Sequence, residues 1–255
     1  MRLLQPKTAL VAGAVLILLG IIAALLNIFT WFLLFTGLLV ALAGVLVLVF
    51  LRSRSFEQVR RRHLQAHPFE QNLHKDLMVG SSFFEGWVSA SRDFAPLDIL
   101  NIGIGGTVIQ TWIDFLENTV APYQPRSLIL YAGSNDFNQA ATAELVFARL
   151  AALFDQIEDR LPGIPVVYIG ICPTIARQHS WPEIQKFNRL VEQACAARAH
   201  FYFVDSAPAI LDAAGQLRPE LYLPDTLHFN PQGYQAWAGG VCPQVIGILR
   251  PPAPA

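Results

Sequence analysis

The sequence predicts an α/β domain built on a parallel β-sheet, preceded by a long apolar segment at the N-terminus. In the second part of the chain, short apolar runs typical of buried strands alternate with longer amphipathic segments typical of helices. The apolar runs are almost unbroken, as expected for strands that helices cover on both faces of the sheet. Ligands of such domains bind beyond the carboxyl ends of the strands, so residues that follow the strands are the first candidates for a site.

The N-terminal segment, residues 8–51, contains no Asp, Glu, Lys, Arg or His. As one helix it would extend about 66 Å, roughly twice the thickness of the hydrocarbon core of a bilayer. Because Asn27 and Thr30 interrupt the apolar run near its middle, we expect two transmembrane helices, at about 8–26 and 31–51, joined by a tight turn. Two alternatives remain: a signal peptide, whose apolar core is normally much shorter, and a buried helical hairpin in a soluble protein.

Basic residues flank this segment on both sides, and they comprise Arg2, Lys7, Arg52, Arg54, Arg60, Arg61 and Arg62. The positive-inside bias therefore predicts that both ends of the hairpin, and the domain that follows it, lie on the cytoplasmic side of a membrane. The arginines at 52–62 are typical either of a solvated flank or of a surface anchor on anionic lipid headgroups. Membrane lipids are thus the expected partners of the N-terminal part.

Three parts of the chain are predicted: the hairpin at 1–51, a basic connector at 52–76 and the α/β domain at 77–250. A helix in the connector ends at His67-Pro68, because the residue before a proline is pushed out of the helical region. The net charge of −1 gives no indication of nucleic-acid binding. The three cysteines form neither a CxxC pair nor an even disulfide framework, which is consistent with buried thiols in a reducing compartment.

Five strands are predicted in the domain, at 77–79, 97–101, 127–131, 165–170 and 201–204. Helices are predicted at 82–88, through 112–116, and at 141–160, 182–199 and 231–249. The last helix begins after Asn230, with Pro231 in the first-turn position that proline favours. Because Ser82, Gly106 and Asn135 each follow a predicted strand, we expect them to lie at one edge of the sheet.

Ser82 lies where the first strand passes into a helix, in the stretch Val79-Gly80-Ser81-Ser82-Phe83-Phe84. A serine in such a turn has its hydroxyl at the carboxyl edge of the sheet, where free N–H groups and the positive end of a helix dipole favour a developing negative charge. This position suits a nucleophile. An N-cap serine behind a turn glycine would give the same local pattern.

Asp225-Thr226-Leu227-His228, near the C-terminus, forms a second candidate group. An acid three residues before a histidine can reach its imidazole and fix its tautomer, which leaves the other ring nitrogen free to take a proton from a serine. Taken alone, the pattern is better explained by a surface Asp–His pair, or by a histidine near the start of the following helix, than by catalysis.

Four short blocks, taken together, resemble the SGNH (GDSL-like) hydrolases. They are Gly80-Ser81-Ser82, Asn101-Ile102-Gly103-Ile104-Gly105-Gly106, Gly133-Ser134-Asn135-Asp136 and Asp225-Thr226-Leu227-His228, in the order and at the spacing usual for that family. The resemblance covers about residues 77–249, and the second block is most similar to the branch of platelet-activating-factor acetylhydrolases. One departure is Ser81, which stands where the best-known first block of the family has Asp.

The resemblance implies a three-layer, flavodoxin-like α/β fold and a serine hydrolase, for which we expect neither cofactor nor metal. Ser82 would be the nucleophile, His228 the general base and then the general acid, and Asp225 its orienting partner. The oxyanion hole would consist of the backbone N–H groups of Ser82 and Gly106 and the side-chain amide of Asn135. Glycine at 106 would leave the backbone open to the oxyanion.

The function expected from these observations is that of a membrane-anchored esterase. It would hydrolyse a carboxylic ester, either lipid-derived or an acetyl ester, through an acyl-enzyme. An acyltransferase or acetyltransferase could use the same residues. A protein of another class, a non-catalytic membrane-anchored binding or scaffold protein, would keep the fold without turnover.

Other polar residues are weaker candidates. His179, with Arg177 and Trp181 near it, follows the fourth predicted strand and either lines a substrate mouth or belongs to a plain surface loop. His63 and His67 have a spacing that some zinc sites use. Since no cysteine lies nearby and no third ligand is evident, a solvated helix face is the favoured interpretation.

Overall fold

The computed structural model describes the backbone of residues 6–139 and 141–250. Side chains are described throughout 57–137 and 141–250 and at most positions from 15 to 45. The chain divides into two compact units, with the boundary between Gln58 and Val59. The second unit thus begins within the segment that the sequence assigns to a connector.

Helix α1 runs without a break from Pro6 to Ala66, through the point at which the sequence predicts a tight turn. The four residues between the two predicted spans include neither glycine nor proline. Thr30 donates its hydroxyl to the carbonyl oxygen of Leu26 at 2.8 Å, a bond that threonine can make within a helix. The polar residues at 27 and 30 therefore do not end the helix, and one continuous helix replaces the predicted hairpin.

Within α1, Ile17–Val45 is long and apolar enough to cross a membrane, with 29 residues and a hydropathy of 2.5. This statement rests on length and composition, and a signal sequence near the N-terminus meets the same criteria. A single crossing would put the two flanks on opposite sides of a membrane, so the prediction that both flanks are cytoplasmic loses its basis. Arg2 lies outside the described residues, as do the side chains of Lys7, Arg52 and Arg54.

A five-stranded parallel sheet forms the centre of the second unit. Its strands are β1 (Asp76–Gly80), β2 (Ile99–Asn101), β3 (Ser127–Tyr131), β4 (Val166–Ile169) and β5 (Phe201–Val204). All five predicted strands are present, with small shifts at their ends. Every residue of β1 and β3 is buried, which agrees with the unbroken apolar runs of the sequence.

The strands lie in the order β2-β1-β3-β4-β5. The chain first adds β2 on one side of β1 and then crosses to add β3 on the other side. The loops that follow β1 and β3 therefore diverge at a topological switch point, the place where α/β sheets leave a crevice for ligands. Ser82 and Asn135, the candidate residues that follow β1 and β3, lie in the segments that diverge at this point.

Helices cover both faces of the sheet. They are α2 (Ser82–Glu85), α3 (Ala90–Asp93), α4 (Ile109–Phe115), α5 (Ala143–Arg160), α6 (Trp181–Ala196) and α7 (Pro231–Leu249). Successive strand residues point to opposite faces: Val167 belongs to the core that includes Trp237 of α7, whereas the ring of Tyr168 lies beside Phe154 of α5 and Phe187 of α6. The domain is thus a three-layer α/β structure.

Candidate active site

Ser82 is the first residue of α2, two positions after the end of β1. A side chain on Gly80 would place its Cβ 2.6 Å from the carbonyl oxygen of Tyr131, so glycine allows β1 to end this close to β3. Helix α2 has a single turn and ends at Glu85, rather than continuing to Val88 as predicted. A helix this short has little dipole, so negative charge at Ser82 would depend on individual hydrogen-bond donors.

The imidazole of His228 lies between Ser82 and Asp225. Its Nε2 is 2.8 Å from Oγ of Ser82, which is 146 residues away in the chain. Its Nδ1 is 2.6 Å from Oδ2 of Asp225. An ionised carboxylate only accepts hydrogen bonds, so Nδ1 is the protonated nitrogen and donates to Asp225. In this tautomer Nε2 accepts the hydrogen bond from the Ser82 hydroxyl.

The carboxylate of Asp225 is held by the loop that carries it. Its Oδ1 accepts hydrogen bonds from the backbone N–H groups of Leu227 and His228, both at 3.0 Å. The bond from the His228 side chain, and then the one from its backbone N–H, lower the pKa of Asp225 from 3.8 to about 2. Asp225 is therefore ionised at neutral pH, although 48% of its side chain is exposed. The loop also requires Thr226 to adopt a left-handed backbone, with φ of 58°.

Two backbone N–H groups in the segments that follow β1 and β2 are candidates to bind a ligand. Those of Ser82 and Gly106 have no hydrogen-bond acceptor among the residues that the structure describes. Gly106 has φ of +75°, and a Cβ built on it would meet no atom within 4 Å. The left-handed backbone, rather than crowding inside the protein, is thus what favours glycine at this position.

The side-chain amide of Asn135 lies beside this glycine loop. Its Nδ2 donates to the carbonyl oxygen of Thr107 at 2.9 Å, and its Oδ1 accepts from Nη2 of Arg177 at 2.8 Å. Since a carbonyl only accepts and a guanidinium only donates, these two bonds fix which end of the amide is nitrogen. One of the two N–H bonds of Nδ2 is used by Thr107, which leaves the other for a ligand.

Asp136 and Ser81, the chain neighbours of Asn135 and Ser82, are buried and contact the protein rather than solvent. Asp136 accepts the backbone N–H of Ile109, the first residue of α4, at 3.1 Å, and burial raises the pKa of Asp136. Ser81 is 1% exposed, and its hydroxyl has no hydrogen-bond partner in the described part of the chain. Of the two adjacent serines, only Ser82 is placed to meet a ligand.

The structure joins Ser82, His228 and Asp225 by hydrogen bonds, and it places the Asn135 amide against Thr107, the neighbour of Gly106. It adds Arg177, which the sequence places only in a loop that could line a substrate mouth. The bond from Arg177 to Asn135 spans 42 residues. No local pattern in the sequence signals such a contact, because both residues are ordinary in polar loops.

The remaining candidates stay outside this group. His179 is exposed on the turn that carries Arg177. The rings of His63 and His67 lie 4.8 Å apart, and burial, followed by the charge of His67, lowers the pKa of His63 to about 4. Among the described residues, no cluster of three or more His, Cys, Asp or Glu side chains could hold a metal ion.

Comparison with known proteins gives a family match over most of the second unit. Residues 78–236 match the GDSL-like Lipase/Acylhydrolase family. The chain is 32% identical over 146 residues to Platelet-activating factor acetylhydrolase IB subunit alpha1 of Bos taurus and of Homo sapiens. The matched region covers 55% of this chain, 60% of the bovine protein and 61% of the human protein. The chain thus spans about three-fifths of the length of these relatives.

Solved structures share the fold. A Streptococcus pneumonia protein provisionally described as a platelet activating factor superposes with a TM-score of 0.67 and 20% identity, covering 80% of this chain and 98% of that chain. A GDSL-like lipase from Bacteroides thetaiotaomicron gives a TM-score of 0.58 and 20% identity, covering 73% of this chain and 96% of that chain. At these identities the similarity concerns the fold alone.

Proposed function

Because the chain belongs to the GDSL-like lipase/acylhydrolase family, we propose that it is a serine esterase that hydrolyses carboxylic esters through an acyl-enzyme on Ser82. The observation that carries the proposal is the position of His228. Its two ring nitrogens lie 2.8 Å from the Ser82 hydroxyl and 2.6 Å from the Asp225 carboxylate. A serine beside a histidine that a carboxylate orients is the arrangement of an activated nucleophile.

In the proposed first half-reaction, Oγ of Ser82 attacks the ester carbonyl carbon while its proton moves to Nε2 of His228. The carbonyl oxygen becomes an oxyanion and accepts hydrogen bonds from the backbone N–H groups of Ser82 and Gly106 and from Nδ2 of Asn135. Each such donor is worth about 10²–10³ in rate when it is fixed before reaction. The tetrahedral intermediate then expels the alcohol, which takes the proton from His228.

In the second half-reaction, water attacks the acyl-enzyme and gives its proton to Nε2 of His228. Collapse of the second tetrahedral intermediate releases the carboxylic acid and returns the proton to Oγ of Ser82. Asp225 stays ionised throughout and stabilises the imidazolium that forms in each half-reaction. The relatives are named as acetylhydrolases, and we propose an acetyl ester, or another short acyl ester, as the substrate.

Labelling with a fluorophosphonate tests the activated serine without any assumption about the substrate. The full chain is solubilised in detergent and compared with the Ser82→Ala and His228→Ala variants, and Ser81→Ala serves as the matched control. We expect the parent and Ser81→Ala to be labelled, with the added mass on the peptide that contains Ser82. A folded parent that takes up no label would overturn the proposal and favour a non-catalytic binding protein.

Product analysis separates hydrolysis from acyl transfer. The parent enzyme, without the fluorophosphonate, is given p-nitrophenyl acetate with and without an added alcohol, and free acetate is measured against the new ester. We expect acetate as the main product in both mixtures. Formation of the new ester at the expense of acetate would assign the same residues to an acyltransferase.

The proposal extends to the N-terminus, where Ile17–Val45 serves as a single membrane anchor. Its 29 residues would extend about 44 Å as a helix, which exceeds the roughly 30 Å of a bilayer core. Alkaline extraction of membranes and the mass of the mature chain test this part. An intact chain that stays with the membrane supports an anchor, whereas a chain shortened at the N-terminus and released would identify a signal sequence.

A further inference from the structure

Arg177 is a buried cation at the edge of the candidate site. It lies on the turn Ile175–Ser180 that follows β4, and only 8% of the residue is exposed. Its Nη2 donates to Oδ1 of Asn135 at 2.8 Å, and its Nη1 donates to Oγ of Ser134 at 3.0 Å. The two arms of one guanidinium therefore contact two consecutive residues of the loop after β3.

The hydrogen bond from the Arg177 guanidinium favours one of the two possible orientations of the Asn135 amide. An asparagine side chain can rotate by half a turn and exchange its oxygen and nitrogen at little cost in shape. A guanidinium has donors only, so it binds the oxygen and rejects the nitrogen. With Oδ1 held by Arg177, Nδ2 is directed to Thr107, the neighbour of Gly106.

We propose that Arg177 is a positioning residue that orients and polarises the Asn135 amide as the third donor of the oxyanion hole. The inference rests on the proposed function, because it assigns a role toward the oxyanion of that reaction. The positively charged guanidinium, hydrogen-bonded to Oδ1, draws electron density from the amide and so makes the N–H groups of Nδ2 stronger hydrogen-bond donors. Because Arg177 is buried, solvent and salt screen its charge much less than they would at the surface.

The turn that carries Arg177 also touches the loop of Asp225 and His228. The backbone N–H of Ala176 donates to the carbonyl oxygen of Thr226 at 3.0 Å. Two adjacent residues of this turn thus contact different loops: Arg177 contacts the loop of Asn135, and Ala176 contacts the loop of Asp225 and His228. A displacement of this turn would alter both halves of the site together.

The test compares Arg177→Met with the parent, both in the wild-type chain and in an Asn135→Ala background. The readouts are kcat and KM for p-nitrophenyl acetate, the rate of fluorophosphonate labelling and the thermal unfolding of the full chain in detergent. We expect Arg177→Met to lower kcat by more than about 10-fold, but by less than the 10²–10³-fold loss of a whole donor, with KM nearly unchanged. In the Asn135→Ala background the same exchange should have almost no further effect on kcat, because the amide it positions is gone.

Arg149→Met is the matched control. The Arg149 guanidinium lies 3.4 Å from the carboxylate of Asp136, the residue that follows Asn135 in the chain. The Arg149 side chain is 43% exposed. We expect this variant to keep the kcat of the parent. If Arg177→Met is too unstable to assay, Arg177→Lys carries the test, since a single ammonium cannot hold both Ser134 and Asn135 in the geometry of the fork. The lysine variant should also lose kcat at nearly constant KM.

The outcomes separate this inference from the proposed function. A parent that is neither labelled nor active would overturn the proposed esterase. A parent that is active, with an equal loss of kcat from Arg177→Met in both backgrounds, would overturn the positioning role and leave the esterase intact. An unchanged kcat in the folded Arg177 variants would also overturn the positioning role and leave the esterase intact.

Discussion

Asn101 donates a hydrogen bond from Nδ2 to the carbonyl oxygen of Phe84 at 2.6 Å. The Oδ1 of the same amide accepts the backbone N–H of Gly103 at 2.9 Å. One side chain at the end of β2 thus joins the helix that begins at Ser82 to the loop that leads to Gly106. These two segments contain the two backbone N–H groups proposed for the oxyanion hole, and the side chain of Asn101 bridges them.

Replacement of Asn101 by alanine should therefore reduce both stability and activity. The exchange leaves the N–H of Gly103 without its partner and removes one hydrogen bond from the carbonyl of Phe84, which keeps the bond from the N–H of Trp87. The loss should cost about 1–3 kcal/mol in urea unfolding. We also expect a kcat at least about 10-fold lower in the fraction that remains folded, because an oxyanion donor is displaced. Measurements of both quantities on the same preparation check the prediction.

The matched control for Asn101 is Asn188. This buried amide also binds backbone groups at both ends, accepting from the N–H of Ile171 at 3.0 Å and donating to its carbonyl oxygen at 2.8 Å. Asn188→Ala should lose a similar amount of stability while its folded fraction keeps the parent kcat. Equal losses of kcat in the two variants would show that Asn101 acts through stability alone.

The low pKa of Asp225 predicts how stability depends on acid pH. The carboxyl has a pKa of about 2 in the folded protein, against 3.8 as its ordinary value. Between these values the unfolded chain binds the proton more readily, so stability falls as the pH falls. The contribution of Asp225 should be complete above about pH 5 and should be lost progressively down to about pH 1, mostly between pH 4 and pH 2. We therefore expect the difference in free energy of unfolding between the parent and Asp225→Asn, measured with urea, to become smaller as the pH falls through this range. A difference that stays constant to pH 2 would contradict the assignment.

Asp225→Asn should also remove most of the activity at neutral pH. An amide can donate to Nδ1 of His228 and so favour the tautomer that leaves Nε2 protonated, which cannot accept the Ser82 proton. The same exchange in a serine protease triad lowers kcat by about 10⁴. We expect a loss of about 10²–10⁴ here, since the side chain of Asp225 is half-exposed and water can partly replace it. Single-turnover assays with p-nitrophenyl acetate measure it.

Gly106 and Gly105 provide a matched pair for the role of backbone conformation. Gly106→Ala puts a side chain at φ of +75° and should lower stability by about 1–2 kcal/mol. At Gly105 a new Cβ would lie 2.5 Å from Oε2 of Glu85, the far end of a flexible side chain that can move away. Gly105→Ala should change stability by less than about 0.5 kcal/mol. Equal effects of the two exchanges in urea unfolding would contradict the special role of the left-handed backbone at Gly106.

Thr226 offers a site for stabilisation. A β-branched residue at φ of 58° is strained by about 1–3 kcal/mol, whereas asparagine tolerates this region. Thr226→Asn should raise the free energy of unfolding by about 1 kcal/mol. Thr142→Asn is the control, because Thr142 caps α5 at an ordinary φ of −77° and asparagine caps as well as threonine. A gain at both positions would point to a general effect of asparagine.

Most of the domain could be predicted because its patterns are local. An unbroken apolar run such as Ser127–Tyr131 predicts a buried strand, and Pro231 after Asn230 gives the start of α7. The single turn of α2 could not be predicted from its apolar residues, because Phe83 and Phe84 pack into the core without continuing the helix. The predicted hairpin is not confirmed, because Thr30 donates its hydroxyl within α1 and the helix continues past it.

The candidate site residues could be singled out because the order of four motifs carries more information than any one of them. Each motif alone also fits a common turn or cap. The role proposed for Arg177 could not be predicted from the sequence, because it depends on burial and on a hydrogen bond to Asn135, 42 residues away. Contacts of this kind follow from the packing of loops that a periodic pattern does not encode.

The sheet order has a practical consequence for following the folding of this protein. Ser82, Gly106 and Asn135 follow three different strands, and His228 comes just before the last helix. A molecule that has formed only some of these segments has secondary structure but an incomplete set of groups around Ser82. With Ser82 activated as proposed, uptake of a serine probe would report only completely folded molecules, whereas circular dichroism reports all helices and strands. The gap between the two signals during refolding would measure the population of partly folded chains.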